Sequence, residues 1–114
     1  MDVLSELMQI EHRLASGRGD VYREVLADDA IVIVPGAVLD TAQCVAAMDS
    51  SPGWDTVSFD EARLVESDGM AAVVYRFRGE RAGIIYAATL ASSYRMPECR
   101  LLLHQHTPDA RYRR

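Results

Sequence analysis

Lysine is absent from this sequence: all 12 basic residues are arginine. Compositional drift in a genome accounts for that bias more simply than any function does. Acidic residues number 17, and the resulting net charge of -5 argues against nucleic acid as the main partner. The basic tail Arg111-Tyr112-Arg113-Arg114 reads as a frayed terminus rather than a binding arm. Cysteine is scarce. Cys44 and Cys99 lie far apart with no C-x-x-C spacing, which gives a zinc knuckle or a disulfide framework no support. Both read as buried free thiols, because free cysteine behaves as a small hydrophobe. No apolar run approaches the ~18 residues of a membrane span. The opening residues, Met1-Asp2-Val3-Leu4-Ser5-Glu6, are acidic where a secretory signal would be basic. The expectation is a soluble, cytoplasmic protein. A phosphate loop, a nucleophile elbow and a dinucleotide fingerprint are also missing, so no cofactor is expected. No repeat, linker or low-complexity segment interrupts the chain.

What is present suits one domain spanning residues 1–114. Hydrophobic residues make up 49% of the chain, enough to close a single core and to rule out wholesale disorder. Residues 71–107 are dense in valine, isoleucine, tyrosine and threonine, which favour a pleated, half-buried surface. Turn signals at 79–83 and at Met96-Pro97-Glu98 divide this stretch into three strand patterns, an antiparallel meander.

The first half of the chain supplies helices to cover that meander. Residues 2–16 form an amphipathic pattern, with Val3, Leu7, Ile10 and Leu14 on one stripe and Leu4 widening it. Glu6, Glu11 and Arg13 are expected to fall away from the stripe. Gly17-Arg18-Gly19 ends the helix, and Asp20 is the expected cap of a second one over 21–27, with Tyr22, Val25 and Leu26 facing inward. A strand over 30–34, a Pro35-Gly36 turn and an edge strand at Ala37-Val38-Leu39 follow. Asp28-Asp29 before that strand is ordinary loop chemistry more readily than a general acid. Asp40-Thr41-Ala42-Gln43 has the form of a capping box, and its helix reaches about Met48. Ser50-Ser51-Pro52-Gly53 breaks that helix, and a long strand runs from Trp54 to Glu66. The parity changes between Phe59 and Leu64, so a bulge is expected near Asp60-Glu61. Asp68-Gly69 marks a hairpin. The class is α+β, with helices gathered on one side of a sheet.

The order of elements, together with particular residues, resembles the nuclear transport factor 2-like superfamily, and within it the group of SnoaL-like proteins and a large domain family of unknown function. The residues that carry the resemblance are Gly17-Arg18-Gly19-Asp20-Val21-Tyr22 leading to Leu26-Ala27-Asp28-Asp29-Ala30; Pro35-Gly36 with Val38-Leu39-Asp40; Pro52-Gly53-Trp54-Asp55; and Arg100-Leu101-Leu102-Leu103-His104-Gln105-His106-Thr107-Pro108. The resemblance implies a cystatin-like cone: a curved antiparallel sheet wrapped around N-terminal helices, with a pocket at its open end. It implies a homodimer through the outer sheet face. It leaves the activity open, since members include isomerases, dehydratases, cyclases, hydrolases and pure binding modules. One departure is Cys99, which stands where a tryptophan is common.

Side-chain alternation puts His104 and His106 on one strand face, and the resemblance turns that face into the cone. There His104 is the candidate general acid/base, since imidazole titrates near neutral pH. Such a role needs a carboxylate partner, for which Asp40, Asp49 and Asp55 are candidates. A metal would need a third ligand that the spacing does not supply, so none is expected. His12 belongs to the solvated side of the first helix. Tyr22, Met48, Trp54, Tyr75, Ser93, His104 and His106 are the candidate ligand-binding residues, and the pocket they outline suits a small, flat, mostly apolar or aromatic molecule. Plain core filling serves each apolar member as well. Tyr86 and Tyr94 share one parity and Thr89 and Ser93 the other, and which set faces the pocket stays open. Both faces of 84–91 are apolar, with Ile84, Tyr86, Ala88 and Leu90 on one and Ile85, Ala87, Thr89 and Ala91 on the other, which again points to self-association.

Overall fold

The computed structural model describes residues 2–51 and 53–110. Pro52, part of the expected Pro52-Gly53 turn, and the basic tail at 111–114 lie outside the described residues. The chain begins with α1 (Val3–Leu14), α2 (Gly19–Val25), β1 (Leu26–Val34), β2 (Ala37–Asp40) and α3 (Thr41–Ser50). The meander follows as β3 (Thr56–Ser67), β4 (Met70–Arg81), β5 (Ile84–Arg95) and β6 (Arg100–Pro108). The six strands form one open sheet in the order β2-β1-β6-β5-β4-β3. All neighbours are antiparallel except β1 and β6, which run parallel. The expected antiparallel sheet is therefore mixed, because the chain returns from the meander to lie beside β1 in the same direction.

Local chemistry sets most boundaries. The Asp2 carboxylate accepts from the Ser5 amide and starts α1. Asp40 and Gln43 form a reciprocal capping box at α3, with both bonds present. The second helix differs from expectation. It starts at Gly19 with Arg18 at the cap position, and no side chain caps it. Asp20 is instead occupied by the Arg18 guanidinium at 2.7 Å. β1 also starts earlier than its pattern suggests. An irregular register between Leu26 and Ile31 lets the strand pass through Asp28-Asp29 with both side chains in solvent. The bulge in β3 falls between Asp60 and Arg63, where Glu61 takes a φ of 57°. The β4–β5 turn is tighter than the 79–83 segment: β4 continues to Arg81, and Ala82 and Gly83 alone turn the chain.

The sheet packs one face on the helices. Val73, Tyr75 and Phe77 of β4, Ala88, Leu90 and Tyr94 of β5, and Leu101 of β6 join Leu7 and Leu14 of α1 in the core. The α1 stripe is correct in its apolar members, but Glu11 does not fall away from it. Glu11 sits between Leu7 and Leu14 on the same helical face and is 1% exposed. Cys44 is fully buried, whereas Cys99 is only half-buried.

Trp54 is half-buried and lies against Gly79, where a Cβ would meet the indole ring at 2.7 Å. Glycine in mid-strand gives up β propensity, and here it makes the flat surface on which the indole rests. The ring also stacks on Tyr86 at a centroid distance of 5.8 Å and meets Phe77 edge-on at 5.7 Å. Gly79→Ala is expected to push Trp54 outward, at a cost of roughly 1–3 kcal/mol. Thermal denaturation and a red shift of the single tryptophan's emission check this; unchanged emission would mean that the ring does not rest on Gly79.

Candidate functional site

The curved sheet leaves a cavity of about 210 Å³ between its inner face, the end of α1 and α3. Its walls are largely apolar, with Leu14, Val34, Leu39, Met48, Phe77 and Leu90 among them. Polar groups come from opposite ends. Arg81 lies at the end of β4 beside Trp54, while Glu11, Tyr75, His104 and His106 lie further in.

The inner polar groups are joined in one hydrogen-bonded chain. The Tyr75 hydroxyl donates to Glu11 Oε1 at 2.5 Å, and the Tyr94 hydroxyl donates to Oε2. The Ser92 hydroxyl is near enough to the Glu11 carboxyl to pull its pKa down, and its Oγ lies 2.6 Å from His104 Nδ1. The two imidazoles meet Nε2 to Nε2 at 3.1 Å. His106 Nδ1 then lies 3.0 Å from the Tyr86 hydroxyl. Strand register sets the middle of the chain: Ser92 pairs with His104, and Leu90 with His106, so the inward side chains of β5 and β6 stand side by side. The chain leaves no buried side-chain nitrogen or oxygen unpaired among the described residues.

Burial decides the charge states. Desolvation pushes the Glu11 carboxyl above its ordinary range, although the Tyr75, Tyr94 and Ser92 hydroxyls pull the other way. Burial pushes His104 down to about 4. It pushes His106 to about 3, with the neighbouring His104 adding to the shift. The phenols of Tyr75 and Tyr94 are driven up by burial and by Glu11, so both remain donors. Glu11 and the histidines thus favour their neutral forms. The tautomers run with the proton on Glu11: when the carboxyl donates to Ser92, Ser92 gives to His104 Nδ1, His104 Nε2–H to His106 and His106 Nδ1–H to Tyr86, and when Ser92 donates to the carboxylate each link reverses. His104 Nδ1 stands 3.7 Å from Glu11 Oε1, so a proton passing between them has Ser92 as its bridge. With their Nε2 atoms turned on each other, the histidines are engaged as hydrogen-bond partners. Among the described residues no three His, Cys, Asp or Glu side chains gather as a metal site.

No protein-family model matches the chain, and no curated protein does. Solved structures do match it. A candidate ketosteroid isomerase from Parabacteroides distasonis aligns over 96% of this chain and 89% of its own, with a TM-score of 0.82 and 13% identity. A nuclear transport factor 2-like protein from Cytophaga hutchinsonii aligns over 96% of this chain and 100% of its own, at TM-score 0.79 and 14% identity. The fold is nuclear transport factor 2-like. The S. rosetta CaMKII hub shares it at TM-score 0.76 and 10% identity, over 96% of this chain and 98% of that one. At such identities the likeness is one of fold.

The nuclear transport factor 2-like cone brings Tyr22, Met48, Trp54, Tyr75, His104 and His106 to one cavity. Ser93 is not among them. It lies on the outer face, in a shallow groove with Val65, Met70 and Ala72, and its neighbour Ser92 takes the inner position. The open question of parity is answered the same way, for Tyr86, Ser92 and Tyr94 all point inward. The carboxylate beside His104 is none of the three aspartates. Asp40 caps α3, Asp49 pairs with Arg23, and Asp55 accepts from the Ala82 amide. Glu11 is the residue that sequence reasoning missed. Its signal was its spacing, four residues after Leu7 and three before Leu14, which places it inside the apolar stripe. His12 is exposed, as its helical position suggests, and its ring lies 3.9 Å from that of Phe59.

These shifts predict opposite pH signatures for two variants. The folded pKa of His106 lies below the unfolded 6.5, so the native state loses stability as pH falls from 6.5 toward about 3. His106→Gln should therefore gain stability relative to wild type on acidification through that window. The folded pKa of Glu11 lies above the unfolded 4.5, so its contribution is full below 4.5 and is lost as pH rises through the folded value. Glu11→Gln should gain relative to wild type as pH rises. Urea denaturation across pH checks both, and parallel curves for wild type and variants would contradict the assigned neutral forms.

Proposed function

We propose that this chain binds a small, flat, mostly apolar molecule inside the cone. The observation that carries the reading is the cavity itself: about 210 Å³, apolar on most sides, with its polar groups gathered at few points. An engineered apolar cavity of ~150 Å³ already holds benzene, so this one suits a body of one to two rings. Trp54, Met48, Tyr22 and Tyr75 supply the walls, and His104 and His106 supply the polar wall. The fold supports this reading only as one of several uses, since its solved examples range from a candidate isomerase to a kinase hub.

A second reading, acid–base catalysis of the isomerase, dehydratase or cyclase type on a small apolar or polyketide-like substrate, is favoured by one specific observation. His104 has a carboxyl partner, Glu11, with Ser92 bridging them. In that reading His104 is the general acid/base, and Glu11 sets its tautomer through Ser92. The test is calorimetric titration of 2-naphthol, a neutral two-ring probe. His104→Ala should weaken its binding at least ~5-fold by stranding the Ser92 end of the chain, whereas His106→Gln should retain most of it. Absence of heat with the wild type at millimolar concentration, both for 2-naphthol and for its carboxylate counterpart 2-naphthoate, would overturn the binding reading. Turnover of a candidate substrate that His104→Ala abolishes without loss of binding would establish the second.

The same reading includes a homodimer through the outer sheet face. That face presents Ile31, Val74, Ile85, Ala91 and Leu103 with no helix over them, and Ile31 is 46% exposed. The CaMKII hub gives one example of assembly on this fold. Light scattering at micromolar concentration should return twice the 12.6 kDa chain mass, and a monomer mass would exclude the dimer.

A further inference from the structure

We propose that the ligand carries a carboxylate at one end of its apolar body, and that Arg81 at the cavity mouth receives it. The inference rests on the reading of the cavity as a small-molecule site and adds to it a charge, an orientation and a residue.

Arg81 occupies the last inward-facing position of β4, in the row of Ala71, Val73, Tyr75, Phe77 and Gly79. It is the cationic side chain among those lining the cavity. Two contacts fix its plane. The guanidinium carbon sits 4.6 Å from the Trp54 ring centroid, and Nε donates to the Gly53 carbonyl at 3.2 Å. The terminal nitrogens keep their hydrogens: among the described residues no carboxylate forms an ion pair with Arg81. Arg13, Arg18, Arg23 and Arg76 each have a carboxylate partner. Arg63, Arg78, Arg95 and Arg100 have none among the described residues, but they are exposed and away from the cavity.

A planar guanidinium held by stacking, with two parallel N–H groups unspent, matches a carboxylate bidentately. A neutral ligand leaves those donors to water at the mouth and draws nothing from the charge. The carboxyl of Glu11 offers no repulsion from within, because it lies further along the cavity and its buried environment favours the protonated form. The ligand is thereby oriented, with its acid at Arg81 and its ring system between Phe77, Leu90 and the histidines.

The experiment compares 2-naphthoate with its neutral isostere 2-naphthamide by calorimetry on wild type, Arg81→Gln and Arg81→Lys. Wild type should bind the acid at least ten-fold tighter than the amide, and added salt should weaken the acid alone. Arg81→Gln should erase that preference by weakening the acid and sparing the amide, and Arg81→Lys should restore part of it. Equal wild-type affinities, or an equal loss of both ligands in Arg81→Gln, would overturn the assignment and leave Arg81 as a brace for Trp54, with the cavity reading intact. Binding of neither ligand to wild type would overturn the cavity reading and this inference together. If Arg81→Gln fails to fold by circular dichroism, the wild-type preference, its salt dependence and Arg81→Lys decide alone.

Discussion

The structure turns on how a carboxyl group with 1% exposure is accommodated in an apolar core. An isolated charge there would be prohibitive, so the group must be neutral, richly hydrogen-bonded, or both. Glu11 accepts the hydroxyls of Tyr75 from β4 and Tyr94 from β5, and Ser92 of β5 links its carboxyl on to β6 through His104. One helical residue thereby engages three strands at once. Leu7 and Leu14 alone would let α1 slide or rotate on the sheet with little penalty, because apolar contacts are non-directional. The hydroxyl and imidazole bonds are directional, and they fix the helix to one azimuth and one height. The arrangement therefore secures more in uniqueness than in stability, since a buried polar network gains little net energy while any alternative packing would leave several groups unpaired.

That constraint also explains how a cavity survives in the middle of a domain this small. Apolar side chains left to themselves would close it. Here the inward positions that could fill the space hold Tyr75, His104 and His106, whose polar atoms are tied to Glu11, Ser92 and Tyr86. They cannot swing inward without breaking those bonds. On the opposite side Gly79 contributes no side chain, and the space it leaves is covered by Trp54. The same network that holds α1 in place thus props the polar wall, and one glycine seats the lid.

Much of the fold could be read from the chain because it rests on local signals. The Asp40–Gln43 capping box, the Asp68-Gly69 hairpin and the parity change near Asp60 each depend on residues close in sequence. The site was harder to read, because its membership depends on contacts between distant residues. Glu11 meets Tyr75 and Tyr94 across 64 and 83 residues, and a charged residue in an apolar stripe reads as solvated until those partners are known. Ser93 was exchanged for Ser92 for a related reason: along a strand with small or apolar residues at every position, one step of register swaps the faces. The histidines were legible because three leucines precede them and alternation alone puts both on one face.

The two ends of the cavity then differ in kind. The inner end is a chain of neutral groups in which every buried polar atom has a partner among the described residues, so it can pass or hold a proton but has no standing charge to offer. The outer end is a fixed cation whose plane is set by an indole and a backbone carbonyl and whose terminal donors remain available. Binding strength and chemistry are in this way separated along one axis. A charge fixed at the mouth can orient a ligand without perturbing the proton balance of Glu11 and His104, because apolar walls and several residues of β4 lie between them. A cation placed beside Glu11 would instead favour the ionised carboxylate, reverse the direction of the hydrogen-bond chain and undo the neutral state on which the packing of α1 depends.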